Sequence, residues 1–269
     1  MKTLIFAAGL GTRLKPLTDT LPKALVPVCG KPLLEHVLEK LASCRNPETA
    51  APLFDGYVVN VHHFADKIED WLSEHGLLAE HGGQVEVSDE RECLLETGGG
   101  ILHARPYLEG CGSFLVHNVD ILSDLDVPWF VSRVRPDSVA TLLVSERKTS
   151  RYLLFAPDTM RLVGWTNIST GEVRSPYPDL DPSRCRAMAF SGIHILSDEV
   201  FDIMQSYASD RGLITSDGSA ARFPIMDFYL SVCNTYNIYG VPADNLNLID
   251  VGKLDSLSHA ESFMISAGA

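Results

Sequence analysis

At 269 residues with 45% hydrophobic side chains, the chain is long enough to bury a core without disulfide or metal staples, as one large α/β domain or two lobes. Its net charge of −13 excludes a general affinity for nucleic acid or anionic lipid, because both rest on clustered Lys and Arg neutralising phosphates. No apolar run approaches the ~20 residues of a membrane span, and the pattern of a secretory signal is missing at the start, so a cytoplasmic protein without a membrane partner is expected.

The run Lys2-Thr3-Leu4-Ile5-Phe6-Ala7 ends in a Gly-rich turn and reads as a buried parallel strand. Pro32 then opens a helix whose apolar stripe is Leu33, Leu34, Val37, Leu38 and Leu41, with Glu35, Glu39 and Lys40 outside it. The alternation repeats as a strand over 57–61, a helix over 65–74, a strand over 84–87, a Gly-rich turn over 98–100 and a strand over 114–116. That spacing predicts a doubly wound, mainly parallel sheet. Strand-like runs over 140–144, 152–155, 162–165 and 189–195 lie closer together and read as antiparallel pieces of a mixed sheet. Helices are expected over 198–205, 225–232 and 253–263, and strands over 238–241 and 248–251. The Pro-rich stretch 175–182 reads as an ordered loop or lid, and the Gly/Ser/Asp-rich stretch 210–222 as a mobile loop. Trp71 and Phe228 sit at helical spacing with apolar neighbours and are expected in the core.

Six scattered cysteines form neither a C-x-x-C pair nor a Cys/His cluster at zinc spacing, so free thiols are expected. No internal repeat is present. The charge distribution is uneven: residues 1–31 hold Lys2, Arg13, Lys15, Lys23 and Lys31 against the single acid Asp19, whereas the remainder is strongly acidic. An acidic protein that handles phosphates must gather its cations locally, and this segment does so.

The stretch Ala7-Ala8-Gly9-Leu10-Gly11-Thr12-Arg13-Leu14 follows the first strand. Glycines there let backbone N–H groups face an anion while Arg13 and Lys23 bracket it. The spacing excludes a Walker A loop, since Thr12-Arg13 follows Gly11 where Lys and Ser or Thr are needed, and Leu14 stands where a dinucleotide fingerprint needs its third glycine. Taken alone, the glycines suit a structural turn as well as a phosphate site.

The full string, continued by Lys15-Pro16-Leu17-Thr18 and by Pro22-Lys23-Ala24-Leu25 through Gly30-Lys31-Pro32, resembles the signature of the sugar-1-phosphate nucleotidyltransferase family. The resemblance implies a Rossmann-like mixed α/β fold of the nucleotide-diphospho-sugar transferase type, with Arg13 and Lys23 as the basic catalytic pair. It also implies nucleotide contacts from Ala7, Ala8, Gly9, Gly11 and Thr12. Within a single domain over 1–269, the nucleotide is expected in 1–125 and the sugar phosphate in 126–269.

Asp120 closes the apolar run Phe114-Leu115-Val116, which places it at a strand's carboxyl end, where either a turn cap or a magnesium ligand fits. Asp250 in Leu248-Ile249-Asp250-Val251-Gly252 is placed similarly, with a cap for the next helix as the lesser alternative. The family resemblance implies that both hold Mg²⁺, although members often carry an aromatic residue where Ile249 stands. A sugar phosphate monoester has a second pKa of about 6, so its oxygen is already an anionic nucleophile and no general base is required. The expected reaction is in-line attack on the α-phosphate of an NTP, without a covalent enzyme intermediate.

Glu96-Thr97-Gly98-Gly99-Gly100 reads as a turn with open backbone donors, and the family reads its base there. With Leu95 it resembles the N-acetylmuramate-1-phosphate uridylyltransferase branch, which implies UTP and a muramate or other hexosamine 1-phosphate; GTP with mannose or heptose 1-phosphate is the alternative. Asn60, His62 and His63 could approach the ribose or serve as surface polars. The sugar phosphate is expected near Asn167, Ser191 and Gly192, and Arg147, Lys148 and Arg151 form a second basic knot. The reading from another class is a catalytically silent nucleotide-sugar-binding protein.

Overall fold

The structure, a computed structural model, describes residues 1–215 and 220–267. Its elements run as β1 (Lys2–Phe6), a hairpin of β2 (Pro27–Val28) and β3 (Lys31–Pro32), α1 (Leu33–Ser43), β4 (Gly56–Val61), α2 (Ala65–Glu74), β5 (Val85–Asp89), α3 (Glu96–His103) and α4 (Arg105–Leu108). There follow β6 (Ser113–Asn118), β7 (Ile121–Ser123), α5 (Val127–Ser132), β8 (Ala140–Ser145), β9 (Arg151–Phe155), β10 (Leu162–Asn167), β11 (Glu172–Arg174) and β12 (Arg186–Ser197). The chain ends with α6 (Val200–Asp210), α7 (Ile225–Val232), β13 (Ile238–Pro242), β14 (Leu248–Asp250) and α8 (Leu254–Ala267).

These elements form two compact units. The first comprises Met1–Leu94, Val116–Pro128 and Asn247–Ala269, and the second Leu95–Leu115 and Trp129–Leu246. Against a division at residue 125, the first unit therefore takes in the C-terminal segment and gives up 95–115.

In the first unit the strand order is β1-β4-β5, with the end of β6, from Val116, on the other side of β1. β1 and β4 pair in parallel with Leu4 opposite Val58, and β4 and β5 with Val58 opposite Glu86. Leu4, Ile5, Val58 and Val59 are buried, which is why these strands read as unbroken apolar runs rather than as alternating ones. The stripe of α1 is buried as its periodicity requires, with Leu33, Leu34, Val37, Leu38 and Leu41 inside. His36 joins them, its Nε2 hydrogen-bonded at 2.8 Å to the Val28 carbonyl. β7 and β14 form a separate antiparallel ribbon, with Ile121 opposite Asp250.

In the second unit β12 pairs antiparallel with β9 over 186–188 and with β8 over 189–196, where the register shifts between Phe190 and His194. β10 and β11 continue outward from β9 as antiparallel neighbours, and β13 lies parallel to β8. The core here is aliphatic with an aromatic share, in which Phe155, Phe201, Phe223, Phe228 and Tyr229 are all buried.

Two expectations are overturned. Residues 98–100 are not a turn but the buried interior of α3. Trp71 is half-buried rather than core, stacked on His75 at 4.3 Å and lining a groove with Leu38, Tyr57 and Val85, whereas Phe228 is core as expected. The expected mobile loop 210–222 falls in part outside the described residues, at 216–219. Its flanks are tied by a bridge between Ile214 and Ala221 and by the Thr215 N–H donating to the Ala220 carbonyl at 2.7 Å. Among the described residues no helix is long and apolar enough to cross a membrane.

Candidate active site

The carboxyl ends of β1, β4 and the segment after β5 are fastened by one buried amide. Asn60 Oδ1 accepts the backbone N–H groups of Ala7 at 2.8 Å and Ala8 at 3.3 Å, while Asn60 Nδ2 donates to Glu90 Oε1 at 2.7 Å. Asn60 is thus neither a surface polar nor open to a ribose, and its burial is explained by these three bonds. The N–H groups of Ala7 and Ala8 already have an acceptor, so any nucleotide contact from these residues falls to their carbonyls or side chains. His62 hydrogen-bonds through Nδ1 to the Glu90 carbonyl at 2.7 Å, and His63 leans on Phe64 with ring centroids 4.0 Å apart.

Beyond this bracket the loop turns through Gly11, in the left-handed region at φ 62°. A side chain there would also collide, since an added Cβ would lie 2.8 Å from Thr18 Cγ2 and 3.2 Å from Lys23 Cβ. Thr18 Oγ1 donates to the Gly11 carbonyl at 2.7 Å, and the Leu14 N–H reaches the same oxygen at 2.8 Å. The loop is thereby fixed against the stem of Lys23. Over Gly9, by contrast, an added Cβ would meet nothing within 4 Å, and Thr12 and Arg13 are exposed on the turn that follows.

Lys23, at the start of a 3₁₀ turn after Pro22, donates its ammonium to Asp120 Oδ2. The pair is largely withdrawn from water, with side-chain exposures of 11% and 16%. The Val119 N–H donates to the Phe6 carbonyl at 3.1 Å, which holds the segment leading to Asp120 against the end of β1. The Val251 N–H donates to the Asp120 carbonyl at 2.8 Å, and Asp250 pairs across the ribbon with Ile121, so the two carboxylates are neighbours. Partial desolvation first, and then the Asp120 carboxylate, push Asp250 above the usual carboxylate range, while Lys23 and Arg13 pull it down. Arg13 belongs to the same group: an added Cβ on Gly252 would lie 2.6 Å from Asp250 Oδ1 and 2.8 Å from Arg13 Nη2. Gly252 is therefore the residue that leaves room for this guanidinium beside this carboxylate.

The structure thus brings Arg13, Lys23, Asp120 and Asp250 together within the first unit. Among the described residues no cluster of three or more His, Cys, Asp or Glu side chains could hold a metal. A carboxylate pair is a donor set suited to Mg²⁺, which takes one or two carboxylates and completes its octahedron with phosphate oxygens and water. His117, one strand position before Asn118, is buried and pushed down to about 4 by desolvation, so it stands neutral near pH 7.

The remaining candidates lie in the second unit. The N–H groups of Gly98 and Gly99 both donate to the Phe223 carbonyl, at 2.8 and 3.1 Å, so the expected open donors are occupied. An added Cβ at Gly98 would fall 2.3 Å from the Phe223 ring and at Gly99 2.0 Å from the Ala221 carbonyl. These glycines answer to the close approach of the 221–225 segment, whose Ile225 N–H also donates to Thr97 Oγ1 at 2.9 Å. Asn167 ends β10, where its Oδ1 accepts the Ser169 N–H at 3.0 Å and shapes the turn into β11. Ser191 and Gly192 occupy the irregular stretch of β12; Gly192 has φ 74°, and the buried Ser191 hydroxyl has no hydrogen-bond partner among the described residues. Arg147 donates to the Phe190 carbonyl at 2.8 Å.

This fold and charge cluster define a class. The family described as "Nucleotidyl transferase" matches residues 2–266. An N-acetylmuramate alpha-1-phosphate uridylyltransferase from Caulobacter vibrioides is 33% identical over 251 residues, covering 90% of this chain and 88% of the relative. A second protein of that name, from Neisseria meningitidis serogroup B, is 41% identical over 126 residues, covering 47% of this chain and 49% of its own length. Among solved structures, a putative glucose-1-phosphate thymidylyltransferase from Bacillus anthracis shares the fold with a TM-score of 0.71 at 18% identity, covering 98% of this chain and 95% of that one. The chain belongs to the nucleotidyl transferase family, and within it the protein is a sugar-1-phosphate nucleotidyltransferase.

Proposed function

We propose that the enzyme transfers a uridylyl group from UTP to N-acetylmuramate 1-phosphate and releases pyrophosphate, with Mg²⁺ held by Asp120 and Asp250. The observation that carries the chemistry is the convergence of Arg13, Lys23, Asp120 and Asp250. The substrates are taken from the relative in C. vibrioides that spans most of this chain.

An oxygen of the acceptor phosphate attacks the α-phosphorus in line. The bond from that phosphorus to the bridging oxygen breaks, and its electron pair leaves with pyrophosphate. When bound, Mg²⁺ supplies positive charge to the phosphate oxygens. The chain's part is placement and charge: Arg13, on the turn after Gly11, and Lys23, on the 3₁₀ turn after Pro22, supply cations for the phosphates, and the open space over Gly9 admits close approach of the backbone. Lys23, paired with Asp120, exchanges that anion for a phosphate. No side chain is asked to remove a proton, because the acceptor is already ionised at neutral pH. On the acceptor side, the unpartnered hydroxyl of Ser191 beside Gly192 supports a sugar contact there. The base is read near Thr97, Gly98 and Gly99 by groups other than the two occupied N–H donors.

The test is pyrophosphate release from each common NTP crossed with the 1-phosphates of N-acetylmuramate, N-acetylglucosamine, glucose and mannose, in Mg²⁺. UTP with N-acetylmuramate 1-phosphate is expected to exceed the other pairs in kcat/KM by at least ~10-fold. A preference for GTP with mannose 1-phosphate would replace the substrate reading. Activity lost in EDTA and restored by Mg²⁺ supports the metal; activity unaffected by EDTA removes it.

A further inference from the structure

Lys40 lies outside the apolar stripe of α1, yet it is half-buried and its ammonium donates to the Ser123 carbonyl, with Ser123 Oγ at 3.5 Å. Burial lowers its pKa, and the groups whose charges it feels are Cys44 on its own helix, Asp124, Asp126 and His117. Withdrawing an ammonium from water is unfavourable unless its bonds are well placed, and here the partner is the last residue of β7.

That strand has a particular burden. Among the described residues β7 and β14 pair as strands only with each other, over three residues each, so the ribbon lies outside the hydrogen-bonded ladders of the main sheets. One end is closed by the Val251 N–H on the Asp120 carbonyl at 2.8 Å. The other is closed by Asp124 and Asn247: the Asp124 N–H donates to the Asn247 carbonyl at 3.1 Å, and Asn247 Nδ2 donates to Asp124 Oδ2 at 2.6 Å. Asp250 stands on this ribbon and Asp120 immediately precedes it. Two-stranded ribbons are marginal by themselves in water, so an anchor on α1 adds to what α8 and the burial of Ile121 and Leu122 provide.

We propose that Lys40 is a positioning residue, fastening the β7–β14 ribbon to α1 and so setting how tightly Asp120 and Asp250 hold a divalent cation. The inference rests on the reading of those aspartates as the metal pair. Supports one step behind a metal site commonly alter affinity by 10–100-fold when removed, without touching the ion.

The experiment measures Mn²⁺ binding to the full chain by the loss of the free-ion EPR signal, with a non-hydrolysable UTP analogue present. Lys40→Met should weaken Mn²⁺ binding ~10-fold or more, and Lys40→Arg should recover most of the loss, since either cation can reach a carbonyl. A Lys40→Met protein that melts earlier yet binds Mn²⁺ as the wild type does would overturn the proposal. Should Lys40→Met not fold, Asn247→Ala loosens the same end of the ribbon from the β14 side; unchanged Mn²⁺ affinity in that variant overturns the idea equally. A wild-type chain that takes up no Mn²⁺ with the analogue would remove the metal reading itself, and the proposal with it.

Discussion

Lys23 and Asp120 are ninety-seven positions apart in sequence and share a partly buried ion pair, so each is a counterion of the other in this structure. Replacing either by Ala leaves a partly desolvated charge without its partner and removes one of the groups assigned to the phosphates or the metal. Lys23→Ala and Asp120→Ala are each expected to lower kcat by ~100-fold or more, with far-UV circular dichroism unchanged. Wild-type turnover in either variant would strike that residue from its assigned role. Asn60 belongs to the same scale. It was legible as a polar group at the end of a strand, but not as the amide that gathers Ala7, Ala8 and Glu90, because nothing local in a sequence says which distant backbone a side chain will satisfy. Gly252 is similar: its smallness has meaning only once Arg13 and Asp250 are seen to meet above it.

Among the elements, those with a strong repeat were read correctly from sequence. α2 and α7 have the predicted bounds, since their apolar positions recur at helical spacing over two or more turns. α3 failed for a physical reason. Consecutive glycines argue for a turn by propensity, whereas here they permit a helix to pack its backbone against the 221–225 segment, so tertiary contact overrides the local preference. Gly98→Ala tests this directly. A methyl group 2.3 Å from the Phe223 ring forces a shift and should cost about 1–3 kcal/mol in urea unfolding, despite the better helix propensity of alanine. A stabilised variant would mean that the contact yields freely. The β7–β14 ribbon was half legible: Leu248 to Asp250 announced a strand, but Ile121–Ser123 is too short to show a period.

For the molecule as a whole, acid should act through two buried imidazoles. Burial holds His117 down to about 4 and His194 down to about 3, against an ordinary value of 6.5; His194 is hydrogen-bonded through Nδ1 to the Tyr229 hydroxyl at 3.0 Å. A depressed histidine is neutral in the folded chain and protonated in the unfolded one between those limits. Its contribution is therefore complete above pH 6.5 and is lost as pH falls toward 4 or 3, at roughly 1.4 kcal/mol per pH unit for each group. Urea unfolding at a series of pH values should show this slope, and a His194→Asn variant should show about half of it. An equal slope in that variant would exclude His194 as a source. At this scale the sequence conveyed class and chemistry through one string, from Ala7 to Pro32, that packs its determinants into neighbouring positions. Residues 126–269 were less readable because Asn167, Ser191 and Gly192 belong to a strand and a hairpin whose meaning depends on pairing.

The pairing of Lys23 with Asp120, set beside Arg13 and Asp250, gathers two cations and two carboxylates whose formal charges cancel. A triphosphate arriving by itself would draw the ammonium away and strand a carboxylate next to its own anionic tail. If it arrives already carrying a divalent ion, the vacated carboxylate gains a new counterion in the same event. On the proposed reading such a site would discriminate by company as well as by shape, favouring the chelated nucleotide over the bare one before any bond is made or broken.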